Sequence, residues 1–169
     1  MPSLAERLAR GDDSAFAELY DACADGLHRY AAARLGSSEA AGDVVQTAFL
    51  RAVKSRRRFR GVENPAGYLF QIGRNEIARA AAQRTRRREE PLVDAAALAA
   101  DAKPASGEEA ATALKRLSAE DREIVELKIY AGLTFAEIAA AVERPAATVA
   151  TRYRRALESL RGWLEKQMR

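Results

Sequence analysis

The sequence of 169 residues has one cysteine, Cys23, and one histidine, His28. A lone cysteine forms no internal disulfide, which fits a reducing compartment. One Cys and one His cannot supply the four ligands of a structural zinc site, so no metal is expected. Long apolar runs are also missing: nothing approaches the roughly 20 residues that span a bilayer. The opening MPSLAERLARGDD carries acidic groups and no long apolar core, unlike a signal peptide. The expectation is a cytoplasmic protein with no membrane contact of its own. There is no glycine-rich phosphate loop, no metal-ligand set and no Ser/His or Cys/His arrangement with plausible spacing. The carboxylates fall on predicted helix surfaces, where solvation is their ordinary use. Neither a catalytic residue nor a cofactor is therefore expected, and the chain does not read as an enzyme. Cys23 reads as a packed thiol and His28 as a helix-surface or boundary residue.

What the sequence has is helix formers and an alternation of charge. Prolines number 5, alanine runs are frequent, and apolar residues make up 48%, enough for a core. The net charge of +4 conceals four blocks: −4 over residues 1–50, +8 over 51–90, −5 over 91–143 and +5 over 144–169. Two basic blocks separated by an acidic one suggest two polyanion contacts rather than a uniformly sticky surface.

Taken in order, residues 3–10 read as a short helix stopped by Gly11. Asp12, Asp13 or Ser14 caps a longer one reaching Leu35, with Gly36 as its stop. Its apolar stripe is Phe16, Leu19, Tyr20, Cys23, Leu27, Tyr30 and Ala31. Ser37 or Ser38 starts a third helix to about Lys54, with Val44, Val45, Ala48, Phe49, Ala52 and Val53 inward and Asp43, Gln46, Thr47, Leu50 and Arg51 outward. The run SRRRFRG sets Phe59 among cations. That composition suits single-stranded nucleic acid, where bases stack on rings and cations follow phosphates; Phe59 could equally anchor the loop to the core. Asn64-Pro65 opens a fourth helix toward RTRRR. From Glu89 to Gly107, EEPLVDAAALAADAKPASG reads as a linker. The fold class is thus all-α, two small helical domains joined by a flexible linker: residues 1–88, linker 89–107, and 108–169, the last of marginal stability alone.

The second part holds a helix from Glu108 to Leu117, one capped by Ser118 and stopping at Ala131-Gly132, and then LTFAEIAAAVERPAATVATRYRR. Thr134 and Glu137 form a capping box, and Pro145 suits the first position of the last helix. Val149, Tyr153, Ala156, Leu157, Leu160 and Leu164 share one side of that helix. Thr148, Thr151, Arg152, Arg155 and Ser159 share the other. Such a pair is built like a helix-turn-helix reader of the major groove; an amphipathic hairpin with a solvated face is the plainer alternative.

Two stretches, Asp43-Val-Val-Gln-Thr-Ala-Phe-Leu-Arg51 and Tyr68-Leu-Phe-Gln-Ile-Gly-Arg-Asn75, resemble the second conserved region of bacterial extracytoplasmic-function (ECF) sigma factors. The segment from Leu114 to Arg161 resembles their fourth region. The resemblance covers nearly the whole chain in the right order. It implies a sigma factor that binds core RNA polymerase and directs promoter-specific initiation by recognising −10 and −35 elements. Asp43, Gln46, Thr47, Leu50 and Arg51 would dock on the polymerase. Phe59, Arg60, Asn64, Tyr68, Gln71, Arg74, Asn75 and Arg79 would take the melted −10 strand. Arg144, Thr148, Thr151, Arg152 and Arg155 would face the −35 duplex. Its partners would be core polymerase, promoter DNA and an anti-sigma factor. The sequence departs from the family at Tyr68, where tryptophan is usual, and at Arg79, where aspartate is common. Glu143 and Ala147 stand where glycines are frequent, and Ala150 replaces a frequent lysine. The alternative is a stand-alone helix-turn-helix regulator that binds operator DNA without polymerase, which leaves the Arg56–Tyr68 segment without a use.

Overall fold

The computed structural model describes residues 1–89 and 108–169, which are helices and turns with no strand among them. The expected linker, apart from Glu89, lies outside the described residues. Helix α1 (Leu4–Arg10) starts on a reciprocal Ser3–Glu6 capping box and ends at Gly11 in the left-handed conformation. Helix α2 (Asp13–Leu35) is capped by Asp12, which accepts from the amides of Ser14 and Ala15. The Ser14 hydroxyl, and after it Arg7, holds the Asp12 carboxyl down at about 2. Ser37 caps α3 (Ser38–Lys54), and a 3-10 turn (Arg56–Phe59) leads to α4 (Pro65–Glu89). The second half contains α5 (Glu108–Leu114), α6 (Ala119–Ile129), α7 (Phe135–Val142) and α8 (Ala146–Gln167).

The stripe on α2 is buried at Leu19, Cys23, Leu27, Tyr30 and Ala31, while Phe16 is half-buried and Tyr20 is 51% exposed. Tyr20 lies off the stripe because its ring packs sideways on Phe49, with centroids 4.9 Å apart. Val53, expected inward, is likewise exposed. Burial and the nearby Glu137 carboxylate push the Cys23 thiol up to about 11, which keeps it protonated and inert.

The core does not stop at the linker. One cluster joins Leu19, Leu27, Tyr30, Leu69 and Phe70 of the first half to Ile124, Leu127, Leu133, Ile138 and Val149 of the second. Among the described residues, Leu114, Val125 and Ala156 form a separate small nucleus. Burying a large aliphatic or aromatic side chain contributes about 1.5–3 kcal/mol. The second half, with a small nucleus of its own, therefore gains much of its burial from the first. Two glycines permit the close approach. A Cβ on Gly26 of α2 would sit on the Ala131 carbonyl, and one on Gly67 of α4 would meet the Ala140 methyl and, at 2.8 Å, the Glu137 carbonyl oxygen.

The helix pair has the expected Thr134–Glu137 capping box on α7. The last helix begins one residue later than the sequence suggests: Pro145 is its cap and Ala146 its first residue. On α8, Val149 and Ala156 are buried and Tyr153 and Leu160 half-buried. Leu157 and Leu164 face outward, because the helix runs past the bundle that covers its first turns. The turn between α7 and α8 is closed by Glu143 at φ 56° and ψ 47°, the one non-glycine residue among those described with positive φ. Its backbone N–H donates to the Ala139 carbonyl, so the geometry is that of a glycine cap adopted by a residue with a side chain. Ala147 lies within α8 and needs no glycine. Glu143→Gly should therefore stabilise the protein by about 1 kcal/mol in urea unfolding; no gain, or a loss, would show that the side chain matters to this turn.

Candidate nucleic-acid interface

The positions expected to act together fall on three surfaces. On α3, Asp43, Gln46, Leu50 and Arg51 are exposed and Thr47 is half-buried. Leu50 lies at the rim of a groove of about 530 Å³ between α2 and α3, lined also by Tyr20, His28, Val45, Phe49 and Val53. Leu50 is 54% exposed and Val53 42%, so this rim is an unusual concentration of apolar side chains in water. Arg51 points the other way, 2.6 Å from Glu76 of α4. Glu76 is also 3.0 Å from Arg79, so one nearly buried carboxylate holds two of the expected contact residues.

The second surface is α4 with the turn before it. Phe59 requires a correction. It is fully buried, edge-on to Tyr68 at 5.0 Å and to Phe16 at 6.2 Å, and offers no face to a base. Of the two readings of Phe59 open from the sequence, the anchor is the one this geometry carries. The anchored ring leaves Arg56, Arg57, Arg58 and Arg60 exposed around it. Asn64 caps α4, its Oδ1 accepting from the Gly67 amide at 2.8 Å. Tyr68 is half-buried and Asn75 exposed. Asn64, Tyr68 and Gln71 line a cleft of about 690 Å³ whose far wall is α7 and Arg144.

Gln71 and Arg74 are not free. The Gln71 side-chain amide donates to the Ala140 carbonyl, and Arg74 Nη1 donates to the Ala141 carbonyl at 3.0 Å. These carbonyls belong to the last turn of α7, where intrahelical donors run out and the helix dipole is negative. The rest of the Arg74 fork grips Glu123 of α6: Nη2 donates to Oε2 at 3.0 Å and Nε to Oε1. Tyr30 of α2 donates to the same Oε1 at 2.9 Å. Burial works against the charge of Arg74, but the hydrogen bond and charge of Glu123 outweigh it and raise its pKa. Burial first, then Glu123, moves the Tyr30 hydroxyl well above its ordinary range. Beside this cluster, Arg34 Nε lies 2.8 Å from the buried Glu126 carboxylate, which Arg122 also holds at 2.8 Å. Arg29 donates to the Tyr130 carbonyl at 2.8 Å.

The third surface is the start of α8. Thr148, Thr151, Arg144 and Arg155 are exposed. Thr151 returns its hydroxyl to the Ala147 carbonyl at 2.9 Å. Arg152 is held by Glu120 at 3.2 Å and Asp121 at 2.9 Å, and Arg144 by Glu120 at 3.0 Å. Arg155 is in no ion pair among the described residues. The acidic residues of α6 that restrain these arginines carried no assignment from the sequence. The signal available was charge: α6 falls in the −5 block, opposite the +8 block that contains α4.

Among the described residues no group of His, Cys, Asp or Glu is placed to hold a metal ion, and no helix is long and apolar enough to cross a membrane. What the fold defines is an all-helical protein with two basic surfaces, one of them on a helix-turn-helix. Comparison with known proteins narrows this. The family description Sigma-70 region 2 matches residues 19–87, and Sigma-70, region 4 matches residues 107–160. The chain belongs to the sigma-70 family, in its ECF group. It is 28% identical over 169 residues to the ECF RNA polymerase sigma factor BldN of Streptomyces coelicolor, covering 95% of this chain and 64% of that protein's length. The solved structure of CnrH in complex with the cytosolic domain of CnrY superposes with a TM-score of 0.68 at 26% identity over 96% of each chain. The sigma factor RpoE of Bartonella quintana, solved with the anti-sigma factor NepR, shares the fold with a TM-score of 0.62 at 24% identity, over 88% of this chain and 95% of that one.

Phe59→Ala should cost about 3–5 kcal/mol of folding stability in urea titration, whereas Tyr68→Ala, at a half-buried ring, should cost clearly less. Equal costs would contradict the division between an anchor and an accessible ring.

Proposed function

We propose that the chain is a promoter-recognising subunit of RNA polymerase, a sigma factor with no catalysis of its own. The observation that carries the reading is the pair of basic surfaces in family order: α4 with its arginine-rich turn, then the α7–α8 helix pair. On this reading Asp43, Gln46, Thr47, Leu50 and Arg51 dock on core polymerase. Arg60, Asn64, Tyr68, Gln71, Arg74, Asn75 and Arg79 hold the melted −10 strand. Rings for stacking, amides for base edges and cations for phosphates are all present there. Arg144, Thr148, Thr151, Arg152 and Arg155 face the −35 duplex, where an arginine either pairs with guanine or holds a phosphate. Phe59 keeps the turn in place from below.

The apolar groove between α2 and α3 is the surface an anti-sigma factor would cover. Two relatives of this fold were solved with a partner, CnrY for CnrH and NepR for RpoE, and an anti-sigma partner is proposed for this chain by analogy. The stand-alone regulator remains the competing reading, but it gives α3 and the turn at Arg56–Phe59 no role.

The direct test is transcription with purified core polymerase on a genomic template library. Promoter-directed transcripts that depend on the protein are expected; their absence, together with no binding to core, would refute the proposal. With a promoter in hand, Arg155→Ala should lower the slope of log affinity against log salt by about one, as expected for one lost phosphate contact. An unchanged slope and unchanged promoter choice would remove Arg155 from the interface.

A further inference from the structure

We propose that Glu76 of α4 is a positioning residue, which sets Arg51 for the docking contact and Arg79 for the strand contact. This rests on the reading of Arg51 and Arg79 given above. Glu76 is 8% exposed, and its carboxylate is where cations from two helices meet. The same oxygen, Oε1, lies 2.6 Å from Arg51 Nε in the last turn of α3 and 3.0 Å from Arg79 Nη1 on α4. Both cations are otherwise turned to water, the side chains of Arg51 and Arg79 being 50% and 57% exposed.

The atoms engaged suit a pair held ready for further anions. Arg51 meets Glu76 through Nε and Arg79 meets it through Nη1. Among the described residues no hydrogen bond takes up Arg51 Nη1, Arg51 Nη2 or Arg79 Nη2. An outer guanidinium edge of this kind matches the oxygens of a carboxylate or a phosphate. A long side chain held in place beforehand loses less freedom on binding, which amounts to about two- to tenfold in affinity.

The surroundings set the carboxylate between the two proposed surfaces. Glu76 and both arginines line a groove of about 570 Å³ between α3 and α4. Asp43 and Thr47 of the docking row stand on its α3 wall, and Gln83 and Arg87 continue its α4 wall beyond Arg79. Without the carboxylate, Arg51 and Arg79 would face each other as like charges, and each would swing from its present direction. A buried ion pair adds little stability over well-packed apolar side chains. Stability alone therefore does not account for a carboxylate at this depth.

Glu76→Gln keeps the size and helix propensity of the residue and removes its charge. Its effect is read in the full chain, at a salt concentration that screens the long-range gain in positive charge. One probe is purified core polymerase and the other is a labelled single-stranded oligonucleotide pool. Glu76→Gln should weaken binding of each about threefold. Two double-mutant cycles then show which arginine carries each loss. The loss toward the oligonucleotide pool should vanish in an Arg79→Ala background and persist in Arg51→Ala. The loss toward polymerase should vanish in Arg51→Ala and persist in Arg79→Ala. A loss that is the same in every background would mark Glu76 as part of the framework only and overturn the positioning. Binding unchanged by Glu76→Gln would overturn it too. The single arginine variants decide the underlying reading. If each weakens its own probe while Glu76→Gln weakens neither, the contacts stand and the positioning falls. If neither arginine variant changes any binding, both contacts fall, and the positioning with them. Should Glu76→Gln lose its helical circular dichroism, Glu76→Asp passes through the same cycles, with the charge kept and its reach shortened.

Discussion

The contact on which the arrangement depends is the grip of Arg74 on Glu123, with Tyr30 donating to the same carboxylate. Three helices meet there: α2, α4 and α6. None of the three groups would be comfortable alone at this depth, since an unpaired buried charge costs several kcal/mol. Together they satisfy one another, and the small side chains and glycines around them let the backbones close. The fork of an arginine matches the geometry of a carboxylate and of a phosphate alike. The contact that closes the molecule therefore uses the chemistry proposed for opening DNA.

Much of the fold could be read from local signals because the helix ends are set by local chemistry. The Ser3–Glu6 and Thr134–Glu137 boxes, the Asp12 and Ser37 caps and the Gly11 and Gly36 stops each act within a few residues. Side-chain orientation was less legible. Tyr20 and Val53 fit a buried stripe by spacing but lie on its edge, where the groove between α2 and α3 begins. Phe59 was ambiguous for a sound reason: an aromatic among arginines serves equally as an anchor or a stacking surface, and only burial separates the two.

The contact between the halves was barely legible. The sequence suggests two domains and a linker because alanine-rich, proline-containing segments separate domains in general. Nothing local announces that Ile138 and Leu127 share a core with Leu27 and Leu69, or that Gln71 caps the end of a helix 69 residues away. The alternating charge blocks were the only trace of it. They suggested two sites for a polyanion, without indicating that the acidic block between them lies against both.

The central claim concerns a distance, and a distance measures it best. Spin labels on cysteines introduced at Gln83 of α4 and Glu158 of α8, both exposed, would report the separation of the halves, since Cys23 is buried and would not be labelled. The account predicts one short, narrow distance in the free protein, lengthened and broadened when Arg74 loses its partner in Glu123→Gln. A distance that is already long and broad in the free protein would contradict it, as would one unchanged by Glu123→Gln.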